Sequence, residues 1–106
     1  MLAKLSKRIT FSRERRLPAG AGWTADADAE VLAKVWCAPF PASARERERM
    51  GQLGQDVTHI IMIRPLSGLT TDHTGFIGPD RYELRGIVRG RRPGDMWRLE
   101  AVEGKR

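Results

Sequence analysis

The sequence predicts a small, mainly β protein: an antiparallel barrel or sandwich of about six short strands, with one short inserted helix and long loops. The chain has 106 residues, which is the usual size of one domain. Its apolar residues fall in short segments that alternate with polar residues or are rich in β-branched side chains, and glycine and proline separate these segments. We therefore expect a single domain over residues 1–106.

The first strand is predicted over residues 8–12, where Ile9 and Phe11 share one face. Residues 13–30 follow, and their proline, glycines and small acidic stretch predict an exposed excursion. Trp23 is the only aromatic residue in this excursion. It either folds back onto the domain or contacts a neighbouring chain.

The second strand is predicted over residues 31–40, and both of its faces are substantially apolar. We therefore expect this strand to be covered on both sides. Pro39 and Pro41 lack a backbone N–H, and we expect them to end the strand and turn the chain.

A short helix is predicted over residues 43–54. Ser43 can cap its first turn, Glu46 follows three residues later, and charged residues recur at helical spacing. The apolar content is too low for a core helix. We expect the helix to lie across a barrel mouth or to project outward.

The strongest strand signal covers residues 56–64, with both faces apolar from Ile60 to Ile63. A long loop follows at residues 66–75. Leu66 and Leu69 make it too apolar for a purely solvated loop, so it is buried either against another subunit or against its own barrel.

The last two strands flank a basic turn. Residues 81–88 place Tyr82, Leu84 and Val88 on one face. Residues 96–102 place Trp97 and its alternate neighbours on one face in the same way. With a short segment at Phe76 and Ile77, these complete about six strands.

The chain carries a formal net charge of +6, and 15 of its 19 basic residues are arginine, which binds phosphate and carboxylate through a planar fork. Polyanions are therefore plausible neighbours. The charge is spread along the chain and is partly interleaved with glutamate, so the pattern favours solvated or paired charge over one specific nucleic-acid site.

The residues predict no catalytic centre, no cofactor and no metal site. His59, His73 and Cys37 are the only histidines and cysteine, and their spacing matches no metal motif. Asp72 precedes His73 in a loop, where turn formation explains it. One cysteine also excludes a disulfide within the chain. No apolar run could span a membrane, and the charged start lacks a signal-peptide core, so we expect a cytoplasmic origin.

Four aromatic residues could stack nucleic-acid bases on such a barrel, and this motivates an alternative function as a stand-alone nucleic-acid-binding β-barrel. They are Trp36, Phe76, Tyr82 and Trp97. Their apolar neighbours on the same faces favour core positions instead. A small regulatory or toxin-like enzyme is a second alternative, but it requires a cluster of functional groups that the sequence does not contain.

Several segments, in this order, resemble the phage head-tail joining family of small adaptor and head-closure proteins. The segments are LSKRITFSR, LAKVWCAPFP with the charged helix after it, DVTHIIMIR, and GFIGPDRYELRGIV with the closing MWRLEAVE. The resemblance covers nearly the whole chain. Its most specific part combines the V-T-H-x-x-x-I-R pattern at residues 57–64 with R-Y-E-L at residues 81–84.

The resemblance implies a small β-barrel assembled as a ring, typically dodecameric, in the neck of a tailed phage or a gene transfer agent. Such rings bind a portal or adaptor protein on the head side and a tail terminator or tail protein on the tail side. They enclose the DNA channel, and some act as stoppers. This chain has a shorter, more basic helix region at residues 45–55 and a truncated tail, which leaves both the adaptor and the stopper layer open.

Ring assembly also has a physical motive, because a small domain gains buried area from a head-to-tail interface. We expect two sets of site residues. Those facing the DNA channel are Arg45, Arg47, Arg49, Arg89, Arg91 and Arg92. Those at a subunit or partner interface are Trp23, Phe40, Met50, Leu66, Leu69 and Phe76.

Overall fold

A computed structural model describes residues 5–14, 29–52 and 56–104. These ranges contain strands β1 (Lys7–Glu14), β2 (Ala29–Pro41), β3 (His59–Ile63), β4 (Thr74–Ile77), β5 (Asp80–Val88) and β6 (Trp97–Gly104), and helix α1 (Ala44–Gln52). The strands close into an antiparallel barrel in the order β1-β2-β3-β6-β5-β4. The predicted fold class is confirmed.

The barrel interior is filled by alternate residues of the strands, as the period of two requires. Phe11 is the largest fully buried side chain, and Cys37 lies beside the aliphatic residues. The fully buried members of this interior core are Ile9, Phe11, Cys37, Ile61, Ile63, Leu99 and Ala101. The predicted apolar faces of β1 and β6 point inward, as expected. Of the two apolar faces of β3, the one that carries Ile61 and Ile63 points inward.

The first two strands are longer than the sequence predicted. Residues 13–14 of β1 pair with residues 29–30 of β2, so both ends of the predicted excursion are strand. Residues 15–28, and with them the prediction for Trp23, lie outside the described residues.

Pro39 does not end β2, which continues to Pro41 and pairs with β3 across Pro39 and Ile61. The Ser6 N–H donates to the Cys37 carbonyl at 3.1 Å, so the backbone polar groups of Cys37 point toward β1. Backbone polar groups alternate in direction along a strand, so the backbone nitrogens of Pro39 and Pro41 also point toward the β1 side. Because β1 begins at Lys7, opposite Cys37, its pairing does not extend to either proline. The ladder needs no N–H from either proline, and this explains why the strand tolerates both.

Helix α1 packs on the outer wall of the barrel, whereas the sequence suggested a mouth or an outward projection. Ile60 and Met62 of β3 alternate with the inward residues, so they face outward. Met50 of α1 is buried against Ile60, together with Ala42 and Val57, and Met62 packs at the edge. The predicted cap is present: the Glu46 N–H donates to the Ser43 hydroxyl oxygen at 3.2 Å.

The loop after β3 folds over its own barrel. Leu69 is 1% exposed and belongs to the interior core, and Leu66 packs against that core. Thr74 and Gly75, which the sequence placed in the loop, pair with β5 as part of β4. The connection is therefore residues 64–73.

A bulge in β5 changes one predicted face. Leu84 pairs with Ala101, but Gly86 pairs with Glu100, so one extra residue enters β5 between them. Tyr82 and Leu84 are buried as expected. Val88 is on the outside and 51% exposed, and Ile87 packs against the core in its place.

Candidate interaction surfaces

The arginines of α1 do not share one face. Arg45 and Arg49 lie four residues apart and line one groove with Arg98 of β6. Arg47 is two residues from each of them, which places it on the other side of the helix. All three helix arginines are exposed. Of the three α1 arginines predicted to face the channel, only Arg45 and Arg49 therefore lie on a common surface.

The second arginine group lies in the loop between β5 and β6. Arg89, Arg91 and Arg92 are all exposed. The guanidinium carbon of Arg89 is 5.1 Å from the centroid of the Trp97 ring, a cation–π contact that orients the side chain. Asp95 closes the turn, because its carboxylate accepts the Arg92 N–H at 3.0 Å.

Arg98 connects the two groups and was not singled out from the sequence. The chain leaves β2 for α1 at one end of the barrel, and the β5–β6 loop lies at the other end. Helix α1, however, packs along the outer wall. There Arg98 donates to the Glu46 carboxylate of α1. It also pairs across from Val88, the neighbour of Arg89. Alternation in β6 places Arg98 outward, but its partner on α1 is 52 residues away and could not be predicted locally.

The predicted interface residues divide into two kinds. Phe40 lies on the outer wall of β2 and is 46% exposed, and Leu66 and Phe76 are half-buried. Met50 and Leu69 are buried within the chain, so they cannot meet a neighbour without rearrangement. For these two, burial against the chain's own barrel replaces the expected contact with another subunit.

Trp36 was expected in the core, but it lies on the outer wall of β2 and is 50% exposed. Its strand neighbours Val35 and Cys37 face inward instead. The guanidinium carbon of Arg8 is 4.9 Å from the centroid of the Trp36 ring. Since both faces of β2 are apolar in sequence, alternation alone could not decide which face points inward.

The two histidines and the cysteine each make contacts within the fold. The Nδ1 atom of His73 accepts the Thr70 N–H at 3.1 Å, so this histidine holds a turn and does not face Asp72 as a dyad. The Nδ1 atom of His59 lies 3.0 Å from the Thr58 hydroxyl. Burial raises the pKa of the Cys37 thiol to about 11, against a smaller opposing effect of Lys7. In the described ranges, no three His, Cys, Asp or Glu side chains are grouped to hold a metal ion.

Within the part of the chain that the structure describes, no helix has the length and apolar character needed to cross a membrane. No curated protein matches the sequence significantly. A family model described as phage head completion protein matches residues 2–104, which is almost the entire chain. Together with the barrel, this match assigns the chain a structural role related to the phage head, as a virion component that contacts other virion components. The chain therefore belongs to the phage head completion protein family.

Proposed function

We propose that this protein is a subunit of the neck ring that joins the head to the tail of a tailed phage or gene transfer agent. In this proposal identical copies form a ring, typically of twelve, between a portal or adaptor protein and a tail protein. The ring encloses the channel through which double-stranded DNA passes. The proposal rests on the family match and on where the barrel exposes its large apolar side chains.

The distribution of exposed apolar residues supports a ring. Val31, Trp36 and Phe40 are all on β2, and Val88 is on β5. In the strand order β1-β2-β3-β6-β5-β4, β2 and β5 occupy opposite sides of the barrel. A head-to-tail contact uses two different surfaces of each subunit, and it closes into a ring when the rotation between subunits permits.

The distribution of the arginines is compatible with a channel from which DNA must be released freely. Arg45, Arg49 and the loop arginines Arg89, Arg91 and Arg92 have no carboxylate partner among the described residues. We propose that either the α1 arginines or the loop arginines face the channel. Dispersed positive charge lowers the repulsion between packed phosphates without creating a specific grip on the DNA.

The 64–73 loop is a poor candidate for a gate. Leu69 is anchored in the interior core, and His73 is 8% exposed with its Nδ1 bonded to Thr70. Swinging this loop into a channel would expose Leu69 and break that bond. Of the adaptor and stopper layers, this anchoring favours the adaptor layer.

The proposal is tested by producing particles without this chain. We expect heads that remain tailless and lose packaged DNA, seen by negative-stain microscopy and by nuclease-resistant DNA per particle. Supplying the chain in trans is the matched control and should restore both. Tailed, DNA-filled particles that form without the chain would refute the proposal.

The exposed Trp36, with Arg8 above its ring, also favours the second candidate, a stand-alone nucleic-acid-binding barrel. That function predicts that the purified protein binds oligonucleotides with an affinity that falls steeply with salt. The ring proposal predicts weak or absent binding by the isolated subunit. Fluorescence anisotropy over a salt series distinguishes the two candidates.

A further inference from the structure

Strand β2 has an edge that its neighbour β3 covers only in part. The β2–β3 ladder covers residues 37–41 of β2 and ends at the pair of Cys37 and Ile63. Strand β2 is longer than this ladder, and in the described barrel its residues 29–36 pair with no residue of β3. Pro65, two residues after β3, has no N–H with which to continue the ladder. The edge of β2 beyond Cys37 is therefore left open.

The backbone polar groups of Lys34 point toward this open edge. Those of Cys37 point toward β1, because the Cys37 carbonyl accepts the Ser6 N–H. The direction alternates along a strand, so the N–H and C=O of Lys34 point away from β1. Neither group is hydrogen-bonded to the described loop at residues 64–73, which follows β3. Lys34 therefore offers one donor and one acceptor to a strand from another molecule.

A groove of about 570 Å³ lies at this edge. It is lined by Leu5, Lys34, Val35, Trp36, Arg64 and Pro65. Lys34 and Trp36 are exposed on the outer face of β2, whereas Val35 packs against the interior core. The side chains of a strand added beside Lys34 would alternate in the same way, one face outward and the other toward the core. We call this groove, with the open edge at Lys34, the β2 notch.

The outward side of the β2 notch is cationic. Lys34 and Arg64 are exposed, and Arg8 lies over the ring of Trp36. None of these three cations forms an ion pair with a side chain in the described ranges, whereas other arginines of the barrel, such as Arg98, contact a glutamate. This unbalanced charge favours an occupant that carries carboxylates on its outward face.

The position of Arg8 favours a peptide over a nucleic-acid base. Its guanidinium carbon lies 4.9 Å from the centroid of the Trp36 ring, so a base would have to displace it in order to stack on that face. A guanidinium held over an aromatic ring keeps its N–H groups available for a carboxylate. The open backbone groups of Lys34 also favour a peptide, because an extended strand brings an acceptor and a donor together.

We propose that the β2 notch binds an extended segment of a neighbouring virion protein, in which acidic residues alternate with aliphatic ones. The segment pairs with Lys34 as an added strand, and its carboxylates face Lys34 and Arg64. Its aliphatic side chains lie beside Val35. The inference rests on the proposed function, in which the ring contacts other neck proteins, and it deepens that function by naming the chemistry of one contact. Phe40 and Val88 remain available for contacts between copies.

The first test uses the full-length protein and the synthetic peptide EVEVEVE, labelled at its N-terminus and followed by fluorescence anisotropy. We expect saturable binding. The peptide EEEEVVV has the same composition and charge without the alternation, and it should bind at least tenfold more weakly. Methylating the backbone nitrogens of the glutamates in EVEVEVE removes the N–H groups that the Lys34 carbonyl would accept, and this should weaken binding by a similar factor.

The second test changes the protein. Lys34→Glu reverses the charge of the β2 notch and should weaken binding of EVEVEVE at least tenfold. Arg85→Glu on β5 makes the same charge change at another exposed position, and this matched control should leave binding unchanged. Circular dichroism checks that both variants are folded. The peptide controls use the parent protein, so they decide the inference even if a variant fails to fold.

Equal binding of EVEVEVE and EEEEVVV, or binding that survives methylation of the backbone, would overturn the inference. A short oligothymidine that binds more tightly than EVEVEVE, and no longer binds to Lys34→Glu, would assign the β2 notch to nucleic acid instead. Self-association of the protein that Lys34→Glu abolishes, without binding of EVEVEVE, would assign it to a second copy. The proposed function fails separately, when particles without the chain are tailed and filled, and a failure of peptide binding leaves the neck proposal intact.

Discussion

Arg98 of β6 donates a hydrogen bond to the carboxylate of Glu46 in the first turn of α1, and this contact fastens the helix to the barrel wall. Glu46 also accepts a hydrogen bond from the hydroxyl of Ser43, the residue that caps α1. The other attachment is the burial of Met50 against β3. Helix α1 is thus held by one apolar anchor and one polar one.

Replacing Glu46 with alanine should destabilise the protein by about 1 kcal/mol, because the ion pair and the contact with Ser43 are lost together. The pair is partly exposed, so a much larger effect is not expected. Urea unfolding followed by tryptophan fluorescence measures the change. Glu48→Ala, on the same helix, is the control: Glu48 forms no ion pair among the described residues, so its replacement should change stability by less than about 0.5 kcal/mol.

Replacing His73 with alanine should loosen the 64–73 loop. The Nδ1 atom accepts the Thr70 N–H and lies 3.2 Å from the Thr70 hydroxyl, so the variant leaves these groups without their partner. We expect a loss of about 1–2 kcal/mol and faster amide exchange at residues 66–73. Asp72→Ala is the control, since its exposed side chain makes no such bond. Equal exchange rates in His73→Ala and the parent protein would contradict this role.

Two glycines should respond in opposite ways to alanine. A Cβ at Gly75 would lie 2.6 Å from the Ile9 Cδ1 atom, and Ile9 is fully buried, so the interior core would have to shift. Gly75→Ala should therefore destabilise by about 1–3 kcal/mol. A Cβ at Gly51 meets nothing within 4 Å, and Gly51→Ala should stabilise α1 by about 0.5 kcal/mol. Thermal unfolding of the two variants measures whether Gly75→Ala lowers stability and Gly51→Ala raises it.

Stability should fall as the pH rises above about 9. Burial raises the pKa of Cys37 from 9.0 to about 11 in the folded protein. Burial, and then the charges of Glu103, Asp80 and Cys37, also raise the pKa of Tyr82. Below pH 9 the thiol holds its proton in both states. Between about pH 9 and 11 the unfolded thiol loses its proton before the folded one does, so ionisation favours unfolding.

Urea unfolding at pH 8 and pH 10 measures this change in the free energy of unfolding with pH. The variant Cys37→Ala is less stable overall, but it should lose less stability between the two pH values than the parent protein does. A second readout is thiol labelling at pH 8, which should be slow in native buffer and fast in urea. Rapid labelling of the native protein would contradict the burial of Cys37.

The sequence predicted the barrel well wherever one face of a strand is clearly apolar. In β1 and β6, Phe11 and Leu99 alternate with polar residues, and both are buried in the interior core. In β3 both faces are apolar because the outer face lies under α1, where Ile60 packs against Met50. Local pattern and packing agree in all three strands.

Other features depend on partners that are distant in the chain. The two apolar faces of β2 left open which side faces inward, and Trp36 proved to be outside. The bulge before Gly86 moved Val88 to the surface, and that shift is fixed by pairing with Glu100 in β6. Arg98 contacts Glu46 of α1, a helix that packs on the barrel wall through Met50. Short-range periodicity carries no information about such contacts.

The proposed function is tested most directly by electron cryomicroscopy of purified particles. We predict a ring of this barrel between the portal and the tail, with β2 of each copy against its neighbour and arginines of α1 or of the β5–β6 loop facing the DNA. A neck reconstructed at side-chain resolution without this chain, in particles that are tailed and filled with DNA, would contradict it.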